Sequence, residues 1–216
     1  MGQFDKFEIQ HFNSLTGPLE AEETLKRYPG AISTIGSIIR KYGLENDVAV
    51  ALLHKHFKLN KEEVLLAKKN GDEIVMQPTI PKTATIVPRI WKLLESPSAP
   101  WTPIEYVEND DSKELESQID RIAQKPQFLQ EVSKAIHHYH LADVLGIALI
   151  LGGMFPVNSG FVFHETTRTE ERTSVLALMD KQVRGTINVV ETMWDFSGSP
   201  MANCSHSCNC CKGKKC

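Results

Sequence analysis

Histidine and cysteine gather in three places in this chain, and spacing decides what each group could do. His54-Lys55-His56 sets two imidazoles two residues apart. The run from Val48 to Leu59 is rich in β-branched and long apolar residues and predicts a strand. Side chains alternate on a strand, so His54 and His56 would share the face of Val48, Val50 and Leu52. Two imidazoles on one face can reach one metal ion. The plainer alternative is a strand that leaves the core at its C-terminal end, with Lys55 and Lys58 marking exposure. Two ligands without a third do not make a site.

His137, His138 and His140 close a predicted helix. At 100° per residue His137 and His140 lie about 60° apart and could pair, while His138 points away. Cations are also favoured in the last helical turn by the helix dipole, with no metal needed. A site built from His54, His56, His137 and His140 is stereochemically possible if strand and helix meet. His164-Glu165 is a weaker candidate for acid–base work. Adjacent strand residues face opposite ways, so the two cannot easily cooperate.

The cysteines are the sharpest compositional feature. Residues 1 to 203 contain none, and all five fall at Cys204, Cys208, Cys210, Cys211 and Cys216. A disulfide framework spreads its cysteines through the fold, so the expectation is a body that folds without them and a chemically separate tail. Soft thiolates at this density, with His206 among them, suit zinc or copper(I). Lys212, Lys214 and Lys215 would favour the thiolate form. Two other readings stay open. Cys210 and Cys211 beside a basic run could be acylated and hold the chain peripherally on an anionic membrane. The thiols could also be inert in a disordered tail.

Other chemistry finds no foothold. There is no Gly-x-Ser-x-Gly elbow, no P-loop and no Gly-x-Gly-x-x-Gly. The body offers no cysteine nucleophile. The net charge of −3 over 216 residues supplies no basic field for nucleic acid. No transmembrane span is expected, since the longest apolar run is Val144 to Leu151. Asp5 and Glu8 argue against a targeting leader, and Lys6 against myristoylation at Gly2, so the expected location is cytoplasmic.

The elements that must position these groups read as follows. A helix is predicted from Ala31 to Tyr42, ended by Gly43. Asn70-Gly71 signals a hairpin between Val64–Ala67 and Glu73–Met76. Thr83 to Trp91 suggests a strand interrupted by Pro88. Glu95 to Asp111, with Pro97, Pro100 and Pro103, reads as a loop or hinge. Asp111 and Glu114 form a capping box for a helix carrying Leu115, Ile119, Ile122 and Ala123 on one face. Pro126 breaks it, and a second helix runs from Gln127 to about His140. Phe161–Thr167 and Thr173–Met179 predict a second hairpin, and Thr186–Phe196 a further strand. No internal repeat is evident. The expected fold is α+β: a mostly antiparallel β portion interrupted by a helical hairpin, with a disordered Cys-rich tail. Residues 1–198 would form one domain, with a candidate internal boundary near Asn109, and residues 199–216 the tail.

The run Leu52-Leu53-His54-Lys55-His56-Phe57, followed by Glu62-Glu63-Val64-Leu65, resembles a pattern in an uncharacterised family of filamentous-fungal proteins. Glu191-Thr192-Met193-Trp194-Asp195-Phe196 and a Cys/His-rich ending are similar to how those chains close. The resemblance covers two short stretches and the general layout. It implies an intracellular fungal protein and brings no activity with it. The leading expectation is an accessory metal-binding protein whose tail chelates zinc or copper(I), with His54 and His56 adding a site in the body. The alternatives are a His-metal small-molecule enzyme in a fungal biosynthetic pathway and a membrane-tethered interaction module.

Overall fold

The computed structural model describes residues 9–81, 86–94, 101–108, 112–150, 161–180, 182, 189–197 and 203–208. Among them the elements are α1 (Ile9–Asn13), α2 (Pro18–Lys26), α3 (Ala31–Lys41), β1 (Val48–Leu52), β2 (Val64–Asn70), β3 (Glu73–Thr79), β4 (Ile86–Leu93), β5 (Trp101–Glu108), α4 (Ser112–Ala123), α5 (Pro126–His138), β6 (Leu145–Leu149), β7 (Phe161–Arg168), β8 (Thr173–Asp180), β9 (Val190–Asp195) and β10 (Asn203–Cys208). The ten strands close into one barrel in the order β1-β6-β4-β5-β2-β3-β8-β7-β10-β9, and β9 pairs back onto β1. Two neighbouring pairs, β2–β5 and β7–β10, are parallel, and the others are antiparallel.

The helices follow from the predicted periodicity. On α3 the residues Ala31, Ile35 and Ile39 are buried, and on α5 Phe128, Leu129, Val132 and Ile136. These two helices pack on each other outside the barrel. Gly43 ends α3 in the left-handed region (φ 63°), as expected of a C-terminal glycine. His140 holds the same conformation after α5 (φ 54°).

That coincidence is part of a larger one. Exchanging β1 with β6, β2 with β7, β3 with β8, β4 with β9 and β5 with β10 reproduces the same ring read in reverse. The helices obey it too, since α2 packs on β9 where α4 packs on β4. Leu44 N–H donates to Ile39 O (3.1 Å) and Leu141 N–H to Ile136 O (3.0 Å). Trp91 pairs with Ile147 of β6, and Trp194 with Val50 of β1. At the seam between the halves Val75 pairs with Val175. The molecule is therefore a pseudo-two-fold repeat, against the expectation that none exists. Few letters survive between the halves (Tyr42 and Tyr139, Leu44 and Leu141, Leu52 and Leu149), so only the pairing pattern reveals it.

Three further expectations change. The proline-rich stretch before Asp111 was expected as a loop, but its second part is β5, a largely buried strand. Pro103 pairs with Trp91 on the β4 side and lies beyond the β2 pairing, which begins at Glu105. Pro88 and Pro78 likewise lie where their strands have one bonded neighbour (Tyr106 and Leu65 respectively). Where its nitrogen faces the unpaired side, a proline at such a position costs no ladder bond. Second, β1 stops at Leu52, short of the expected Leu59. Third, the stretch expected as a disordered tail contributes β10, paired with β9 and β7 as a full wall of the barrel. Residues 95–100, 109–111 and 198–202, which hold Pro97, Pro100, Asn109 and the Asp111 cap, lie outside the described residues.

Gly146 in β6 shows how tightly the ring closes. A Cβ there would lie 2.2 Å from the Trp91 carbonyl oxygen and 2.7 Å from Leu53 Cδ2. The first obstacle is backbone and cannot rotate away. Gly146→Ala is expected to destabilise by about 2–3 kcal/mol, read as a lower urea midpoint at unchanged m-value.

Candidate metal centre

Beyond Leu52 the chain leaves β1 as a loop, and His54 and His56 sit on it. Three anchors fix that loop. Lys55 N–H donates to Thr16 O (2.9 Å), and the Lys55 ammonium turns away from the histidines to the carbonyls of Asn13 and Leu15. There it meets the C-terminal end of α1, where a cation is favoured. The Asn13 side chain both donates to Leu59 O and accepts from Leu59 N–H, each at 2.9 Å. Further along, Arg172 at the tip of the β7–β8 hairpin donates to Lys58 O (2.6 Å) and to Glu63 (2.5 Å). The local rule that alternates His-Lys-His still holds: the lysine points out and the two histidines point in.

Inside, the two imidazoles meet edge to face, with ring centroids 4.9 Å apart. Between them and the barrel wall stands Glu165 of β7. Its Oε1 lies 2.9 Å from His56 Nε2 and its Oε2 3.7 Å from His54 Nε2. Cys208 of β10, paired with Glu165 across the parallel ladder, brings Sγ to 3.8 Å from His56 Nε2. One ligand atom from each of His54, His56, Glu165 and Cys208 lies within 4.8 Å of all the others. The side chains of His54, His56 and Glu165 are 11 %, 7 % and 6 % exposed. The 3.7 and 3.8 Å separations match the edges of a tetrahedron around a zinc-sized ion, roughly 3.3–3.8 Å for bonds of about 2.0–2.3 Å. The His56–Glu165 edge alone is shorter, at hydrogen-bond length.

Outer contacts orient the donors. His54 Nδ1 is 2.8 Å from Leu52 O, the backbone partner that fixes the tautomer and leaves Nε2 to the site. The Thr167 hydroxyl donates to Glu165 Oε1 (3.3 Å). The arrangement is not a Cys-His-Glu relay. Cys208 and Glu165 both approach the same nitrogen of His56, whereas a relay uses the two ring nitrogens separately.

Burial opposes charge throughout this pocket, yet Glu165 is held well below the usual carboxylate range, because His56 and His54 outweigh the desolvation. Burial also works against a charged His54, but the Glu165 carboxylate, helped by Leu52 O and Glu105, raises its pKa. Arg89 of β4 and Glu105 of β5 line the same pocket, with side chains from β2, β3, β8 and β9. Only a barrel interior is reached from so many strands at once. Burial raises the Glu105 carboxyl, with Arg89 pulling against it. The pocket beside the histidines has room for about 40 Å³, enough for a bound ion and a water-sized molecule.

Of the expected site residues, the structure brings together His54, His56 and Cys208. The first two converge from a loop and not from a strand face. Half-buried His137 and exposed His140 stand at the end of α5 and are not part of the group. His140 instead fills the helix-stop position that Gly43 fills in the other half. Cys204 and His206 lie on β10, and Cys210, Cys211 and Cys216 lie outside the described residues. Glu165 is the member of the group that sequence reasoning set aside. The alternation argument against His164-Glu165 holds, since His164 bonds Ser207 Oγ (3.2 Å), but it left open that Glu165 would serve other histidines. No sequence signal linked positions more than a hundred residues apart.

Comparison with family models, with curated proteins and with solved structures finds no match for this chain.

Glu63 and Arg172 clamp the histidine loop to the hairpin that carries Glu165. Arg172 holds the Glu63 carboxyl down to about 2, from an ordinary 4.5. A depressed carboxyl stabilises above its unfolded value, and the contribution is lost as pH falls from about 4.5 toward 2. After solvent screening, Glu63→Gln should cost about 1 kcal/mol near neutral pH. In urea titrations at several pH values, the gap between wild type and variant should close as pH approaches 2. A constant gap would mean that the clamp is not electrostatic.

Proposed function

We propose that this chain is a metal-binding protein that holds one transition-metal ion, zinc by its donor set, on His54, His56 and Glu165 in the barrel. The observation that carries the reading is convergence. Two imidazole Nε2 atoms and both oxygens of one carboxylate meet in a buried pocket, and one imidazole is locked by a backbone carbonyl. Two nitrogens and one oxygen are borderline donors that suit Zn²⁺. The ion would supply Lewis acidity and polarise a bound water or carbonyl.

Three protein ligands leave one position for water or a small ligand, the pattern of catalytic rather than structural zinc sites. That feature supports the second reading, a His-metal enzyme acting on a small molecule. The small size of the pocket favours the accessory binding role over it. Cys204, His206, Cys210, Cys211 and Cys216 stay in the proposal as a second chelator of zinc or copper(I), on composition alone. Acylation of Cys210 and Cys211 rests on the same composition. No helix among the described residues is long and apolar enough to cross a membrane.

The test is metal content by mass spectrometry on the purified full chain. Truncation before residue 203 would remove a barrel strand, so point variants serve instead. The barrel site should account for about one equivalent of zinc, which Cys210→Ser/Cys211→Ser is expected to keep. His54→Ala and Glu165→Gln should each lower it by about tenfold or more, with circular dichroism unchanged. Metal kept by the histidine variant and lost by the tail variant would move the site to the tail.

A further inference from the structure

The barrel encloses a charge that metal binding does not use. Arg89 of β4 is 1 % exposed and lines the same cavity as His54, His56 and Glu165. A guanidinium does not deprotonate in a protein, so this charge is permanent. Interiors keep such a group only against negative partners. Glu105 and Glu165 supply that field, and it opposes the burial of Arg89. An ion changes the balance. A zinc dication and Arg89 bring three positive charges to the cavity, and Glu165 and Glu105 return two negative ones at most. His54 and His56 are neutral when they ligate. Lys55 also touches the cavity, but its ammonium lies on the carbonyls of Asn13 and Leu15. Cys208 is disulfide-bonded and adds no charge. The surplus positive charge, held away from water, calls for a small anion.

We infer that the cavity is a binding site for a small carboxylate of formate size, held by Arg89 next to the metal ion. Size sets the upper limit. The cavity has room for about 40 Å³, which beside an ion leaves about two water-sized places, the bulk of formate. Shape selects the head group, since the guanidinium fork matches the two oxygens of one carboxylate. The walls exclude larger, more hydrated anions. Phe12, Phe57, Met76 and Leu176 offer no hydrogen bond to a sulfate or phosphate dianion, while buried Ser174 and Thr192 add two hydroxyls to the lining. The ligand fills empty space beside the histidines. Cys208 is not among the lining residues, so the sulfur and the carboxylate do not compete for one place. Arg89 and the ion come from opposite ends of the argument, one permanent and one acquired, and a single monoanion satisfies both.

This inference rests on the metal reading above, whose ion supplies the surplus charge, and the experiment separates the two. The full chain is loaded with zinc, and carbon-13 formate is titrated in at constant ionic strength with its line width read by magnetic resonance. Saturable broadening is expected, reversed by unlabelled formate and not by pivalate, whose tert-butyl group is too large for the cavity. Arg89→Gln/Glu105→Gln removes the fork while leaving the net charge unchanged. It should weaken formate binding by about tenfold or more with zinc content and circular dichroism unaltered. Should that double variant fold poorly, wild type answers alone through the size test. Broadening that never saturates, equal affinity in the folded double variant, or pivalate competing as well as formate would overturn the carboxylate site while the zinc content stands. A chain that takes up no zinc, with His54→Ala no different from wild type, would overturn the metal reading and this inference with it.

Discussion

Ring closure is the constraint on which everything else depends. β1 must pair with β6 on one side and with β9 on the other, although these strands lie about a hundred residues or more away in sequence. A closed ring leaves no edge strand, so every wall is held from both sides. Closure also fixes what the interior contains. Glu165, Arg89, Glu105 and Cys208 come from four different strands, and only the completed ring brings them near the loop after β1. Gly146 shows the cost of closing, since β6 and β4 approach too closely there for even a methyl group.

The pseudo-two-fold pattern explains how such a ring can be built. Each half contributes two corresponding helices and five strands in the same order, with α1 extra in the first half, so one solution to the packing problem is used twice. The halves then diverge where chemistry is concerned. His54 and His56 belong to the first half, and Glu165 and Cys208 to the second. The positions that match the two histidines by chain offset are Leu151 and Gly153, which carry no ligand atoms. The site is therefore asymmetric on a symmetric frame, and neither half could form it alone.

Electrostatics inside the barrel follow from the same enclosure. Buried ionic groups are costly unless paired, and here the pairing is dense: one carboxylate against two imidazoles, and an arginine close to a second carboxylate. A protonated His54 beside Glu165 is the proton's version of the charge balance that a metal dication would satisfy with the same atoms. The neighbours of the site hold its geometry through ordinary contacts. Lys55 caps α1, Asn13 brackets Leu59, and Arg172 ties the loop to the hairpin.

The sequence by itself determined the local elements. The 3.6-residue stripe of Ala31, Ile35 and Ile39, the Gly43 stop and the Asn70-Gly71 turn are short-range physics, and each is found where periodicity and turn chemistry put it. The pairing of His54 with His56, and their suitability for metal, were also legible from spacing. What needed the tertiary structure was long-range. The prolines of β5 look like loop punctuation until the ring shows that Pro103 has a bonded neighbour on one side only. The tail looks detached until β10 is seen between β9 and β7. Glu165 becomes a candidate ligand, and Cys208 comes beside the two histidines, through strand register alone, because register is set by partners far along the chain and leaves no periodic mark on the residues themselves.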